Sequence, residues 1–143
     1  MINTFERDGV RFEYPGNWTA EPAESEAGGW AVSVHSPETA FILVALRPEA
    51  DDPAQLADRT LEALRAEYQE LDAEDVVEAI GGLAAVGHDI DFLTLDTPIT
   101  CQTRCVGTPA GPLLVMWQTS EYDRERNEPV LRAIRASLTV EEE

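Results

Sequence analysis

The chain has 143 residues, 43% of them hydrophobic, which is enough to bury a core without metal or disulfide staples and too apolar for an intrinsically disordered protein. Its 28 acidic residues stand against 10 basic ones, all Arg and none Lys, for a net charge of −18. Such a surface repels the phosphates of nucleic acid and of anionic lipid, so neither is expected as a partner.

No run of about 18 or more apolar residues exists to span a membrane. The opening MINTFERDGV has no basic region followed by an apolar stretch, so no signal peptide is expected and the chain reads as cytoplasmic. One domain over residues 1–143 is expected, with 141–143 frayed. The charge either keeps the protein soluble, reflects genome composition or a salty cytoplasm, or steers a basic partner.

In chain order, Val10, Phe12 and Tyr14 alternate with Arg11 and Glu13, which predicts a short half-buried strand. Pro15-Gly16-Asn17 ends it in a turn, and Trp18 folds back over an edge of the core. AEPAESEAGG is acidic and predicted as loop. In WAVSVHS, Trp30, Val32 and Val34 share one face, with Ser33 and His35 on the other. Ser36 to Thr39 turn the chain into AFILVALR, where both alternating sets are apolar, the pattern of a central strand covered on both sides.

DDPAQLADRTLEALRAEYQELD is the clearest helix. Asp52 can cap it, Pro53 suits the first turn, and Gln55 completes a capping box. Ala57, Leu61, Leu64, Tyr68 and Leu71 form one stripe, expected to pack on a sheet. The acidic DAEDVVE run lacks the ligand rhythm of a calcium loop and reads as a solvated connection. VVEAI and LAAVGHDIDFLTL then flank Gly81-Gly82, a hairpin dipeptide. Asp96-Thr97-Pro98 turns into ITCQTRCVG, and Thr108 to Pro112 turn into LLVMWQTS. These four strands should form an antiparallel meander. A last helix over residues 124–137 carries Val130, Leu131 and Ile134, with regular helix beginning near Asn127 because of Pro129.

The order strand-strand-strand-helix-four-strand meander-helix predicts an α+β fold, a single antiparallel sheet of about six or seven strands with helices packed on it. The marks F-x-Y-P-x-x-W (Phe12, Tyr14, Pro15, Trp18) and a terminal helix running into Ser137-Leu138 make the chain resemble the PsbP/MOG-like superfamily, which includes DcrB-related proteins. The resemblance covers nearly the full chain in element order. It implies that fold, non-enzymatic work on protein partners, and bacterial cytoplasmic kin. No photosystem-type or Ran-type motif of that group carries over residue by residue.

Catalytic signatures are thin. No nucleophile elbow, phosphate loop, dinucleotide fingerprint or H-E-x-x-H occurs. Cys101 and Cys105 fall on one strand, ~13 Å apart by strand rise, beyond the roughly 7 Å a disulfide spans. With no second pair to complete a zinc site, two inert buried thiols are expected. His88 shares a face with Val86, Ile90 and Phe92, as a core or edge histidine does.

Asp89 and Asp91 project from one strand face about 6 to 7 Å apart. They could hold a divalent cation if a third ligand arrived, contribute to a partner-binding surface, or hold Arg104 across the ladder. A polar set of Ser33, His35, Asp89, Asp91, Gln102, Arg104 and Gln118 is the candidate partner or ligand surface, its convergence depending on strand register. No catalytic residue, metal ligand or cofactor is assigned. The expected function is a non-catalytic protein-binding, adaptor or chaperone-like domain. A basic protein surface is the expected partner. The alternatives are a small-molecule-binding or hydrolytic domain using Asp89, Asp91, Arg104 and His35, and a self-associating subunit.

Overall fold

Short turns decide how the strands meet. The computed structural model describes residues 1–25 and 28–141. Asp8 and Gly9 have φ of 50° and 82°, the left-handed pair that a two-residue hairpin needs, and they join β1 (Ile2–Arg7) to β2 (Val10–Pro15). Next come β3 (Thr19–Glu24), β4 (Trp30–His35), β5 (Phe41–Leu46) and α1 (Pro53–Glu67). The long strands β6 (Leu71–Ile80), β7 (Leu83–Thr94), β8 (Thr97–Thr108) and β9 (Gly111–Ser120) follow. A 3-10 turn over Glu121–Asp123 then leads into α2 (Arg124–Ser137) and β10 (Thr139–Val140).

Seven strands form one antiparallel sheet in the order β3-β4-β5-β9-β8-β7-β6. The predicted meander is therefore present, with Gly81 and Gly82 at φ of 58° and 80° in its first turn. The fold is α+β, as the element order implies.

One correction concerns the sheet count. The strand at Val10 does not extend the main sheet; with β1 and β10 it forms a second sheet of three strands. Alternation reveals that a strand is half-buried, but not which sheet buries it. The stretch expected to be acidic loop overlaps β3, and its residues 26 and 27 lie outside the described residues, as do 142 and 143 of the expected frayed end. Glu141 itself donates its N–H to the Gly9 carbonyl at 2.8 Å. The DAEDVVE run is the body of β6 rather than a connection. Both misread segments are edge strands, held by a ladder on one side, so their side chains carry little hydrophobic alternation.

Three layers result. The helix stripe packs as expected up to the cap residue Tyr68, while Leu71, expected to end it, instead opens β6. Leu61, Leu64 and Tyr68 meet Ile90, Phe92 and Cys101, and Leu56 and Ala57 meet Ala45, Cys105 and Leu114. On the opposite face the small sheet and α2 bring Val10, Phe12, Leu131 and Ile134 against Val32, Val34, Val44 and Val115, with Trp18 and Leu138 buried in the same cluster. Trp30 is fully buried there, its indole N–H donating to Asp8 at 2.9 Å. Arg7 clasps Glu24 with two hydrogen bonds of 2.6 and 2.8 Å. Those bonds hold the Glu24 carboxyl below its usual range.

The helix ends follow from the sequence. Asp52 accepts from the Gln55 N–H at 2.8 Å, and the Gln55 side chain reaches back to the Asp51 N–H at 2.6 Å, one residue beyond a standard capping box. Helix α2 begins at Arg124 rather than near Asn127, because the 3-10 turn feeds it directly and Pro129 forfeits only the bond to the Glu125 carbonyl. At its other end the Ser137 hydroxyl accepts from the Glu13 N–H at 2.8 Å and donates to the Ile134 carbonyl at 2.7 Å. The two sequence marks, Phe12–Tyr14 and Ser137–Leu138, thus meet at one joint.

The β7–β8 turn differs from expectation. Its central residues are Leu95 and Asp96, at φ of 47° and 65°, while Thr97 and Pro98 already belong to β8. Pro98 is tolerated because β8 pairs with β9 only from Ile99 onward, so its missing N–H breaks no bond there. Leu95 is 95% exposed, and a left-handed backbone costs an L-residue with a bulky side chain about 1 kcal/mol or more. Leu95→Asn is expected to raise stability by roughly 0.5–1 kcal/mol, measured by urea unfolding. A loss of stability would contradict this turn geometry.

Candidate functional site

Helix α2 packs on β2 and β9 and leaves the same face of β6, β7 and β8 carrying half-buried or exposed polar groups. The pleat sends Glu78, Asp89, Asp91, Thr100 and Gln102 to that face. At Gly87, opposite Arg104, a side chain would run into the Thr103 carbonyl, so glycine lets β7 and β8 close up at this point.

Arg104 organises the network. Its side chain is 2% exposed, and a guanidinium so placed needs partners for both charge and N–H groups. Nη2 donates to Asp89 Oδ1 at 2.8 Å, and Nη1 donates to the Thr103 and His88 carbonyls at 2.8 and 3.3 Å. Nε lies 3.2 Å from Glu78 Oε1, within ion-pair distance but off the line of a hydrogen bond. The same Asp89 oxygen accepts from Gln102 at 3.0 Å, and Gln102 accepts the Trp117 indole N–H at 2.6 Å. Arg135, reaching from α2, stacks 4.1 Å above the Trp117 ring and holds Glu128 at 3.5 Å. Burial pushes the Asp89 carboxyl up, but hydrogen bonds from Gln102 and Arg104 and the Arg104 charge outweigh it and leave the group below its ordinary value.

The seven candidate residues do not converge. Asp89, Asp91, Gln102 and Arg104 share the open face. Ser33, His35 and Gln118 lie on the α1 side, as the register His35–Phe41–Gln118 across β4, β5 and β9 requires. Of the two aspartates only Asp89 pairs with Arg104; Asp91 is exposed and accepts only from Thr100, at 3.4 Å. Among the described residues no group of three or more His, Cys, Asp or Glu side chains could hold a metal ion.

His35 is half-buried, 3.8 Å from Glu21, and its ring lies 5.8 Å from that of Phe41. His88 is buried on the interior strand β7, a core rather than an edge histidine, with Nε2 3.2 Å from Asp75 and Nδ1 without a hydrogen-bond partner among the described residues. Cys101 and Cys105 are free and buried, and burial pushes both thiols up to about 12.

A feature missed in the sequence lies at the β7–β8 hairpin end. A cleft of about 780 Å³ opens there between Tyr68, Leu71, Asp91, Phe92, Thr100 and Glu121. Tyr68 and Phe92 stack beneath it at 4.1 Å. Tyr68 and Leu71 were legible only as ends of a core stripe; nothing in their spacing marks a cleft.

No protein-family model and no curated protein matches the chain. Solved structures do. PA94 of Pseudomonas aeruginosa, a protein of unknown function, is 16% identical with a TM-score of 0.60 over 99% of both chains. LpqN of Mycobacterium tuberculosis, involved in cell envelope biogenesis, is 12% identical with a TM-score of 0.58, over 98% of this chain and 90% of its own. CyanoP, the PsbP of the cyanobacterium Synechocystis, is 13% identical with a TM-score of 0.61, over 98% and 92%. At these identities the fold is what is shared, and it is the PsbP-like fold that the sequence marks imply.

Because the Asp89 carboxyl is lowered in the folded state, it stabilises the protein above its unfolded value of about 3.9 and ceases to do so as pH falls through the folded value. Asp89→Asn should therefore be less stable at about pH 7, by no more than about 1 kcal/mol given solvent screening, with the gap narrowing as the pH falls below the unfolded value of about 3.9. Urea titrations at several pH values test this, and a gap constant with pH would contradict it. The two thiols should ignore an aromatic disulfide reagent at about pH 8 until the chain is unfolded. Rapid reaction in the native state would show that they are not core groups.

Proposed function

We propose that this chain is a non-catalytic protein-binding domain, an adaptor or chaperone-like module whose partner presents a basic surface. The observation that carries this reading is the free outer edge of β6. Among the described residues this ten-residue strand pairs only with β7, and it exposes Asp72, Glu74, Asp75 and Glu78. Extended polypeptide can add to such an edge through main-chain hydrogen bonds, and the carboxylates select for positive charge. The chain's net charge of −18 extends that attraction as steering over a Debye length. The organisation of the polar face supports the same reading: Arg104 and Asp89 pair with each other at 2.8 Å, as a structural ion pair does. Two free thiols accord with work in a reducing cytoplasm.

A second reading, a small-molecule-binding domain, draws on the cleft at the β7–β8 end. It cannot use the combination of Asp89, Asp91, Arg104 and His35, since His35 stands on the opposite face.

The test is affinity capture with the full chain at low and high salt. At about 0.05 M salt a basic protein should be retained, and at about 0.5 M it should be released. Neutralising β6 with Asp72→Asn, Glu74→Gln, Asp75→Asn and Glu78→Gln should reduce capture at low salt about tenfold or more. Capture insensitive both to salt and to these substitutions would overturn the reading.

A further inference from the structure

We propose that the cleft at the β7–β8 hairpin end is the docking site for an extended peptide segment of the partner, one whose basic side chains flank an apolar one. This rests on the protein-binding reading and says where and how the partner is held.

Charge selects the ligand class. Glu70, Asp72, Asp91 and Glu121 line the cleft against a single cation, Arg124, which itself lies 3.9 Å from Glu121. Phosphates and other anions are disfavoured there, and guanidinium or ammonium groups are attracted. The floor selects for an apolar or planar group. The stacked Tyr68 and Phe92 rings with half-buried Leu71 and Ile99 offer a surface on which a side chain can be buried or an arginine stacked. A volume of about 780 Å³ holds a few side chains.

The rim adds an independent observation. Leu93, 63% exposed, lines the cleft together with Pro98, and Leu95, 95% exposed, stands two residues further on in the turn. Leu95 holds its solvent-facing position in a left-handed conformation that asparagine or glycine would adopt at lower cost. For the free protein that side chain is unfavourable in two ways. Against a peptide that leaves the cleft past Leu93 and Pro98 it would supply apolar contact, which gives the retained strain a use.

Continuity fixes the ligand's form. Leu71 and Asp72 line the cleft and also begin β6, so a chain leaving the cleft runs directly onto the free edge. There it meets the alternating carboxylates of that strand. The same carboxylates repel a second copy of this acidic chain, which keeps the edge from pairing with itself while leaving it open to a basic strand.

The experiment uses the full chain and a labelled octapeptide of alternating Arg and Val with one central Phe, alongside its Arg-to-Glu counterpart and free spermine. Amide shifts should move at Tyr68, Leu71, Asp91, Phe92 and Leu93 with the basic peptide and remain still with the acidic one. Leu95→Asn should weaken binding about tenfold even though it tightens the fold. Asp91→Asn should weaken binding and flatten its salt dependence.

Binding of the basic peptide with shifts confined to another surface, or unchanged affinity in Leu95→Asn, would overturn the docking site and leave the protein-binding reading intact. Saturation of the cleft by spermine with no peptide binding would make it a small-cation site and overturn the proposal. Failure of every basic peptide and of salt-sensitive capture together would overturn both.

Discussion

A seven-stranded antiparallel sheet spans roughly 29 Å across its strands, wider than the layer that covers one of its faces. The small sheet and α2 seal β4, β5 and β9 on that side, and beyond β9 they cover only the Gly81 end of the sheet, where Ile80, Ala85 and Val106 join the same cluster. Everything distinctive about the molecule follows from what β6, β7 and β8 do with the remainder. A face left open to water cannot be lined with leucine, yet it must still pack tightly enough to hold three long strands in register.

The solution is a guanidinium. Arg104 is buried in the sheet face, held by Asp89, Glu78 and two carbonyls, and shares the Asp89 carboxylate with Gln102, which accepts from Trp117. Trp117 in turn is capped by Arg135 from α2. The network joins the covered half of the sheet to the open half with charge-assisted bonds. Beyond it the strands carry carboxylates, and β6 ends the sheet with no further neighbour among the described residues. An uncovered face, an unpaired edge and a surplus of negative charge thus coincide at one side of the protein, and the cleft under the β7–β8 turn lies at the end of that side.

Much of this was legible in the sequence, and the boundary of legibility has a physical cause. The meander, the α1 stripe and the two-sided burial of β5 were read correctly because each buries side chains with a fixed period. The pairing of Asp89 with Arg104 was among the readings that spacing allowed, since both sit near facing positions. Strands β1, β3, β10 and the first half of β6 were not legible. They are held by ladder bonds and bury few side chains, so polarity such as that of DAEDVVE conceals them. The Asp8-Gly9 hairpin signal was present and could have revealed β1. Convergence of Ser33, His35 and Gln118 with the other four polar residues failed on register parity, which no local pattern encodes. The cleft arises from the ends of α1, β6, β7 and β8 together, and no single segment announces it.

A partner held as proposed would engage β6 and the hairpin end. Amide hydrogen exchange of the full chain, compared with and without its captured basic partner, addresses this directly. New protection is expected in residues 70–80 and 91–100, with the β3–β4 edge and α1 unchanged. Protection confined to β3, β4 or the exposed face of α1, with β6 exchanging as in the free protein, would contradict it.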